Sequence, residues 1–193
     1  MNETSGPLTE AVRDVALRSV LCWLATVDAQ GQPNVSPKEV WAIADEWHVV
    51  VANIASPVTA RNIAQQAQVC LSFVDVFVQK GFKLTGLARE VHANSPEFAK
   101  WAPPLQAMVG QRFTIHSVLV IEVQSAAAIV APSYLFYPEG TTEASQVEAA
   151  IERMALCHPW VDLTWLLYAE SGSTAPLCRG AQLVHAHNLA QST

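Results

Sequence analysis

Hydrophobic positions along the chain change period several times, and each change marks an element. Over residues 9–19, Val12, Val15, Ala16 and Ser19 recur at three- and four-residue spacing, the stripe of a helix that buries one side. Thr9 stands where an N-cap belongs, and Glu10 and Asp14 lie toward the positive end of the helix dipole. Residues 20–27 form a β-rich apolar run. It is ended by Asp28, Ala29, Gln30 and Gly31, a turn whose glycine suits a positive φ. Residues 33–44 resume an extended pattern, Asp45 and Glu46 make a second tight turn, and residues 47–52 form a third strand. Short turns joining three strands predict an antiparallel meander.

Ser56 and Pro57 then open a helix over residues 56–66, a cap followed by a proline whose missing N–H is not needed at the first helical position. Residues 69–74 and 82–91 read as the fourth and fifth strands. Ser95, Pro96 and Glu97 repeat the cap-then-proline device and predict a helix reaching Val109. A sixth strand spans 113–123, and an Ala- and Glu-rich helix spans 142–156. Residues 161–168 are apolar without a period that separates strand from helix, and the last five residues read as a frayed end. Six closely spaced strands with short helices between them predict a mainly β fold: a small antiparallel barrel with helical decoration. The strands do not alternate with long helices, and neither G-x-G-x-x-G nor a P-loop occurs, so a Rossmann sheet is not expected.

Composition narrows the classes. Of 193 residues 51% are apolar and only 15% charged, against a usual charged share of about 25%. Such a chain buries enough apolar surface to fold, and the excess points to a face buried against another subunit. The net charge of −6 argues against nucleic-acid binding. The start of the chain lacks the basic and apolar regions of a signal peptide. The longest apolar region, 118–131, is broken by Glu122, Gln124 and Ser125, too polar to span a bilayer. Cys22, Cys70, Cys157 and Cys178 include no C-x-x-C pair, and Cys22 and Cys70 fall in strand-like apolar runs. A cytoplasmic protein with reduced thiols and no metal centre is the expectation.

Three segments carry candidate chemistry. The first is the turn into the 56–66 helix. Asn53 precedes it, Ser56 and Thr59 place hydroxyls at the cap and third helical position, and Arg61 and Asn62 follow. Several donors and one cation at a helix N-terminus suit a phosphate monoester, though an ordinary capped helix has the same pattern. The second is the strand face Asn34, Ser36 and Lys38, set by period two, with Val35, Pro37, Glu39 and Trp41 opposite. That face is either solvated or turned toward the first segment, in which case both share one anionic ligand. The third is Gln79, Lys80, Gly81, Phe82 and Lys83, leading to Gly86; its lysines bring positive charge to an acidic chain, or simply guard an edge strand. No nucleophile with a base and orienting acid emerges, so no catalytic side chain is assigned.

In order along the chain, these features resemble the pyridoxamine 5′-phosphate oxidase-like family of FMN-binding split barrels. The resemblance runs over about residues 17–123. It is carried by Cys22-Trp23-Leu24-Ala25-Thr26-Val27, then Gly31-Gln32-Pro33-Asn34-Val35-Ser36-Pro37-Lys38, then Val49-Val50-Val51-Ala52-Asn53. Ser56-x-x-Thr59-x-x-Asn62-Ile63, a strand ending at Asp75, and Gly81-Phe82-Lys83-Leu84-Thr85-Gly86-Leu87-Ala88 complete it. Ala131-Pro132-Ser133-Tyr134 before an acidic helix also looks like the tail of some members.

The resemblance implies a six-stranded antiparallel split β-barrel over residues 1–130, with an N-terminal helix and a C-terminal helical extension, 131–193, packed on the same domain. It implies a homodimer with FMN at the subunit interface and an oxidoreductase acting on a small-molecule substrate or electron donor. Ser36, Pro37 and Lys38 would contact the flavin; Ser56, Thr59, Arg61 and Asn62 would hold the phosphate; Asn53 would also bind the cofactor; Lys80 and Gly81 would come from a strand reaching across the dimer. Val58 stands where the vitamin B6 oxidases carry a lysine, and Lys80-Gly81 replaces their Arg-Gln pair. Their arginine-rich C-terminal motif is absent, so flavin binding is implied and the B6 reaction is not. Alternatives are a non-catalytic flavin carrier or regulatory site, a haem- or deazaflavin-binding split barrel with His116 as the iron-ligand candidate, and a barrel that has lost its cofactor.

Overall fold

The structure is a computed structural model that describes residues 6–110 and 113–157. The chain divides into two compact units, residues 1–136 and 137–193. In the first, the elements are α1 (Glu10–Arg18), β1 (Cys22–Val27), β2 (Pro33–Lys38), β3 (Trp41–Ile43), β4 (His48–Asn53), α2 (Pro57–Gln65), β5 (Gln68–Asp75), β6 (Lys80–His92), α3 (Phe98–Trp101), α4 (Pro103–Val109), β7 (Ser117–Val130) and α5 (Pro132–Phe136). In the second, α6 spans Glu143–Cys157; Thr142 and Ser145 cap it reciprocally, each side-chain oxygen accepting from the other's backbone N–H.

The seven strands form one antiparallel sheet in the order β2-β1-β5-β6-β7-β4-β3. The six expected strands become seven because the second breaks at Glu39 and Val40 into β2 and β3. That break determines the shape. Lys38 ends β2 and Trp41 starts β3, three Cα steps or at most about 11 Å apart. A flat sheet would hold its two edges about 29 Å apart, six strand spacings. The sheet therefore curls until its edges meet, giving the barrel.

Alternation along the strands fills its inside. Cys22, Leu24, Val49, Val51, Leu71, Phe73, Leu84, Leu119 and Ile121 form the interior cluster, joined by Leu8 ahead of α1, Val12 of α1 and Ile63 of α2. Each large side chain buried here contributes roughly 1.5–3 kcal/mol. The opposite face of β4 and β7 is covered by α3 and α4, with Val50, Ala52, Val118 and Val120 packing on Trp101, Leu105 and Val109.

Two other expectations change in detail. The single helix expected to reach Val109 is two, because Pro103 lacks an N–H and starts α4 afresh. The sixth strand runs to Val130 rather than Val123. Beyond a bulge at Thr85/Gly86, its second half pairs with the first half of β6 and is mostly exposed, so polar residues there do not end it. Gly31 has φ of 83°, as its turn requires. The ambiguous stretch 161–168 lies outside the described residues.

Candidate functional site

The inward face of β2 meets the first turn of α2. Asn34, Ser36 and Lys38 alternate with the exposed Pro33, Val35 and Pro37, and they face the helix rather than solvent. Ser36 Oγ and Thr59 Oγ1 share a hydrogen bond at 2.9 Å. Lys38 Nζ donates to Ser56 Oγ. Below them, Thr26 Oγ1 of β1 accepts from Asn62 Nδ2 at 3.1 Å and from Asn34 Nδ2 at 3.3 Å. Two of the three sequence segments thus converge. Thr26 was not singled out, although period two along β1 places its hydroxyl on the inward face with Cys22 and Leu24.

Lys38 is the unusual member. It is 5% exposed and, among the described residues, has no carboxylate partner. Burial pulls its ammonium below the ordinary lysine pKa, while the Cys22 position across β1 and β2 pulls weakly the other way. The Cys22 thiol is itself pushed up by burial and stays neutral. A buried cation facing only a hydroxyl is a site short of negative charge. The helix end beside it is open as well. Ser56 occupies the N-cap position but makes no side-chain cap, since its oxygen is turned to Lys38, and the first turn of α2 holds no acidic residue. Hydroxyls, a buried ammonium and an uncapped helix N-terminus are the donor set a phosphate monoester requires, so the residues present fit FMN's phosphate.

Arg61 and Asn62 line an open cleft of about 370 Å³ with Asp28, Gln30, Val58 and Gln65. Arg61 is exposed there, whereas Thr59 and Asn62 are 1% and 3% exposed and are occupied by their bonds to Ser36 and Thr26. The remaining predicted residues are elsewhere. Pro37 lies on the outer face opposite Trp23. Lys80 and Gly81 are on β6, three strands or about 14 Å along the sheet from β2. Lys80 Nζ stands 4.5 Å from the centre of the Tyr134 ring. Gly81 has a structural reason to be glycine, because a Cβ would come within 2.1 Å of the Phe73 carbonyl oxygen. His116 is exposed just ahead of β7. Among the described residues no three His, Cys, Asp or Glu side chains gather as a metal site.

Asn53 joins the site from behind. Its Oδ1 accepts from the Ser56 backbone N–H at 3.3 Å, and its Nδ2 donates to Glu90 Oε1 at 2.9 Å and Ser117 Oγ at 3.0 Å. Glu90 and Ser117 are 37 and 64 residues away in sequence. No local pattern announces them; only the register of β4, β7 and β6 brings them to Asn53.

A curled antiparallel sheet with a polar cluster between its second strand and its second helix defines a split-barrel protein. A profile described as pyridoxamine 5′-phosphate oxidase matches residues 8–131, and the chain belongs to that family. No curated protein matches the chain in sequence. Among solved structures, an FMN-binding protein from Syntrophomonas wolfei is similar at TM-score 0.55 and 14% identity, covering 64% of this chain and 87% of that one. HupZ from Group A Streptococcus reaches 0.54 at 23% identity, over 64% and 98%. HutZ, the heme storage protein from Vibrio cholerae, reaches 0.52 at 18% identity, over 64% and 94%. At these identities the likeness is one of fold. No helix among the described residues is long and apolar enough to cross a membrane.

Proposed function

We propose that the chain is an FMN-binding flavoprotein acting as an oxidoreductase, with the phosphate end of the cofactor held where β2 meets α2. The observation that carries this reading is Lys38, a buried ammonium without a carboxylate partner among the described residues, set beside an uncapped helix N-terminus. Lys38, Ser36, Ser56 and Thr59 would exchange their bonds to one another for bonds to phosphate oxygens, and Arg61 would close the rim from the adjoining cleft. FMN, when bound, supplies hydride and electron transfer; the protein binds and orients it.

The reading includes a homodimer. Trp23 and Val35 are 46% and 57% exposed on the outer face of β1 and β2, beside the exposed Pro33 and Pro37. A contiguous apolar stripe of this kind suits burial by a second copy. A partner in that position also gives Lys80 and Gly81, remote from the cluster within one chain, a cofactor to reach. Titration of the purified protein with FMN, followed by visible absorption and flavin fluorescence, tests the reading. Saturable binding near one FMN per chain supports it; no spectral change on addition of FMN removes it.

A further inference from the structure

The polar cluster at α2 is tied to the far side of the barrel by one continuous chain of hydrogen bonds. It starts at Glu90 of β6, whose side chain is 19% exposed. Glu90 Oε1 accepts from Asn53 Nδ2 at 2.9 Å and from Ser117 Oγ. Ser117, 1% exposed, also accepts from Asn53 Nδ2 at 3.0 Å. Both hydrogens of the Asn53 amide are thereby engaged, and its Oδ1 faces the other way, to the Ser56 N–H at 3.3 Å. Ser56 Oγ then meets Lys38 Nζ.

The register makes this arrangement a property of the sheet. Asn53 and Ser117 are direct partners across β4 and β7. Ser117 faces His92 across β7 and β6, so Glu90, two residues before His92, is its diagonal neighbour on the same face. Leu119, opposite Glu90, belongs to the interior cluster, so all three polar groups sit on the barrel's inward surface. The second carboxylate oxygen lies 3.8 Å from His92 Nε2.

An asparagine amide can turn over and exchange its oxygen and nitrogen at little steric cost. An ionised carboxylate only accepts, so opposite Glu90 the amide must present its nitrogen. We infer that Glu90 is a positioning residue for the anion site: it fixes the direction of the Asn53 amide, and through it the Ser56 N–H and hydroxyl against Lys38. This accounts for a carboxylate standing behind a site that takes an anion. The inference takes its ligand from the FMN reading above.

Two readouts keep the two ideas apart. The first is the dissociation constant of FMN for the full-length protein. Glu90→Leu is expected to weaken binding about tenfold, the worth of one misdirected hydrogen bond. Asn53→Ala is expected to weaken it by a similar factor, and Glu90→Leu added to Asn53→Ala to do nothing further, because the path is already cut. Glu90→Gln keeps an acceptor oxygen and restores most of the loss. The second is hydrogen exchange of the Ser56 amide without ligand, protected in wild type and Glu90→Gln and exposed in Glu90→Leu. Independent, multiplying losses in the double variant, or an unchanged Ser56 amide in Glu90→Leu, overturn the inference. If wild type does not bind FMN, the FMN reading falls, while the Ser56 amide still decides the positioning role. If Glu90→Leu fails to fold, Asn53→Asp alone and with Glu90→Gln carries both readouts. Asn53→Asp sets a second carboxylate against Glu90 and must lose both; adding Glu90→Gln, whose amide donates to the new carboxylate, must restore them, and no restoration overturns the inference.

Discussion

Replacing Lys38 by methionine separates binding from folding. Methionine keeps an unbranched side chain of similar length and removes the charge. In the ligand-free protein Lys38 is 5% exposed and its ammonium donates to Ser56 Oγ, with no carboxylate partner among the described residues, so its burial carries a desolvation cost. Lys38→Met removes that cost and loses one hydrogen bond of about 1 kcal/mol, two changes of opposite sign. The ligand-free variant should melt no more than about 4 °C below wild type, a limit that scanning calorimetry checks directly. With FMN the balance differs. Losing one partner of a buried ammonium–phosphate pair costs about 2–5 kcal/mol, roughly 30-fold to several thousand-fold in Kd.

The pH dependence has a definite sign. Burial lowers the folded-state pKa of Lys38 below its ordinary 10.5. Between that lowered value and 10.5, the unfolded chain holds a proton that the folded chain has released. Wild-type ligand-free stability therefore gains a contribution as pH rises through this window, and Lys38→Met lacks it. FMN affinity moves oppositely: the phosphate favours the charged amine, so binding weakens as pH rises through the same window. Affinity measured by fluorescence titration and stability by urea unfolding, both against pH, check the two slopes. An FMN affinity in Lys38→Met within about threefold of wild type refutes the reasoning.

Three further outcomes follow from the geometry. Val58→Lys adds a cation to the rim of the Arg61 cleft from a position 43% exposed, and should tighten FMN binding by up to about fivefold, the worth of an exposed ion pair, in the same titration. Gly81→Ala drives a Cβ to 2.1 Å from the Phe73 carbonyl and should cost about 1–3 kcal/mol in urea unfolding, whether or not FMN is present. Trp23→Glu places a charge on the apolar outer stripe; it should convert a dimer to a monomer in sedimentation velocity while leaving the folded circular dichroism unchanged.

Much of the barrel can be read from period alone. The alternation in β1 and β5 is strong because one face of each is sealed in the interior. It fails where burial fails: the outer half of β7 is mostly exposed, so Gln124 and Ser125 resemble a strand end. The division into β2 and β3 is hidden for another reason. Glu39 and Val40 carry no glycine or proline, and the bend comes from closing the sheet rather than from local turn chemistry. At the site, period two put Asn34, Ser36 and Lys38 together and the cap pattern singled out Ser56 and Thr59. Only the fold shows that these two sets face each other. Glu90 and Ser117 lie beyond any sequence reading, since their pairing to Asn53 depends on the register of three strands.

The most direct test is the visible spectrum of the purified protein before and after addition of FMN, with any released cofactor identified by mass. A flavin spectrum, FMN as the released species and its loss in Lys38→Met are the predicted result. A protein that stays colourless with FMN, or one that shows a Soret band and releases haem, contradicts the assignment and leaves the Lys38–Ser56 cluster as a structural clasp between β2 and α2.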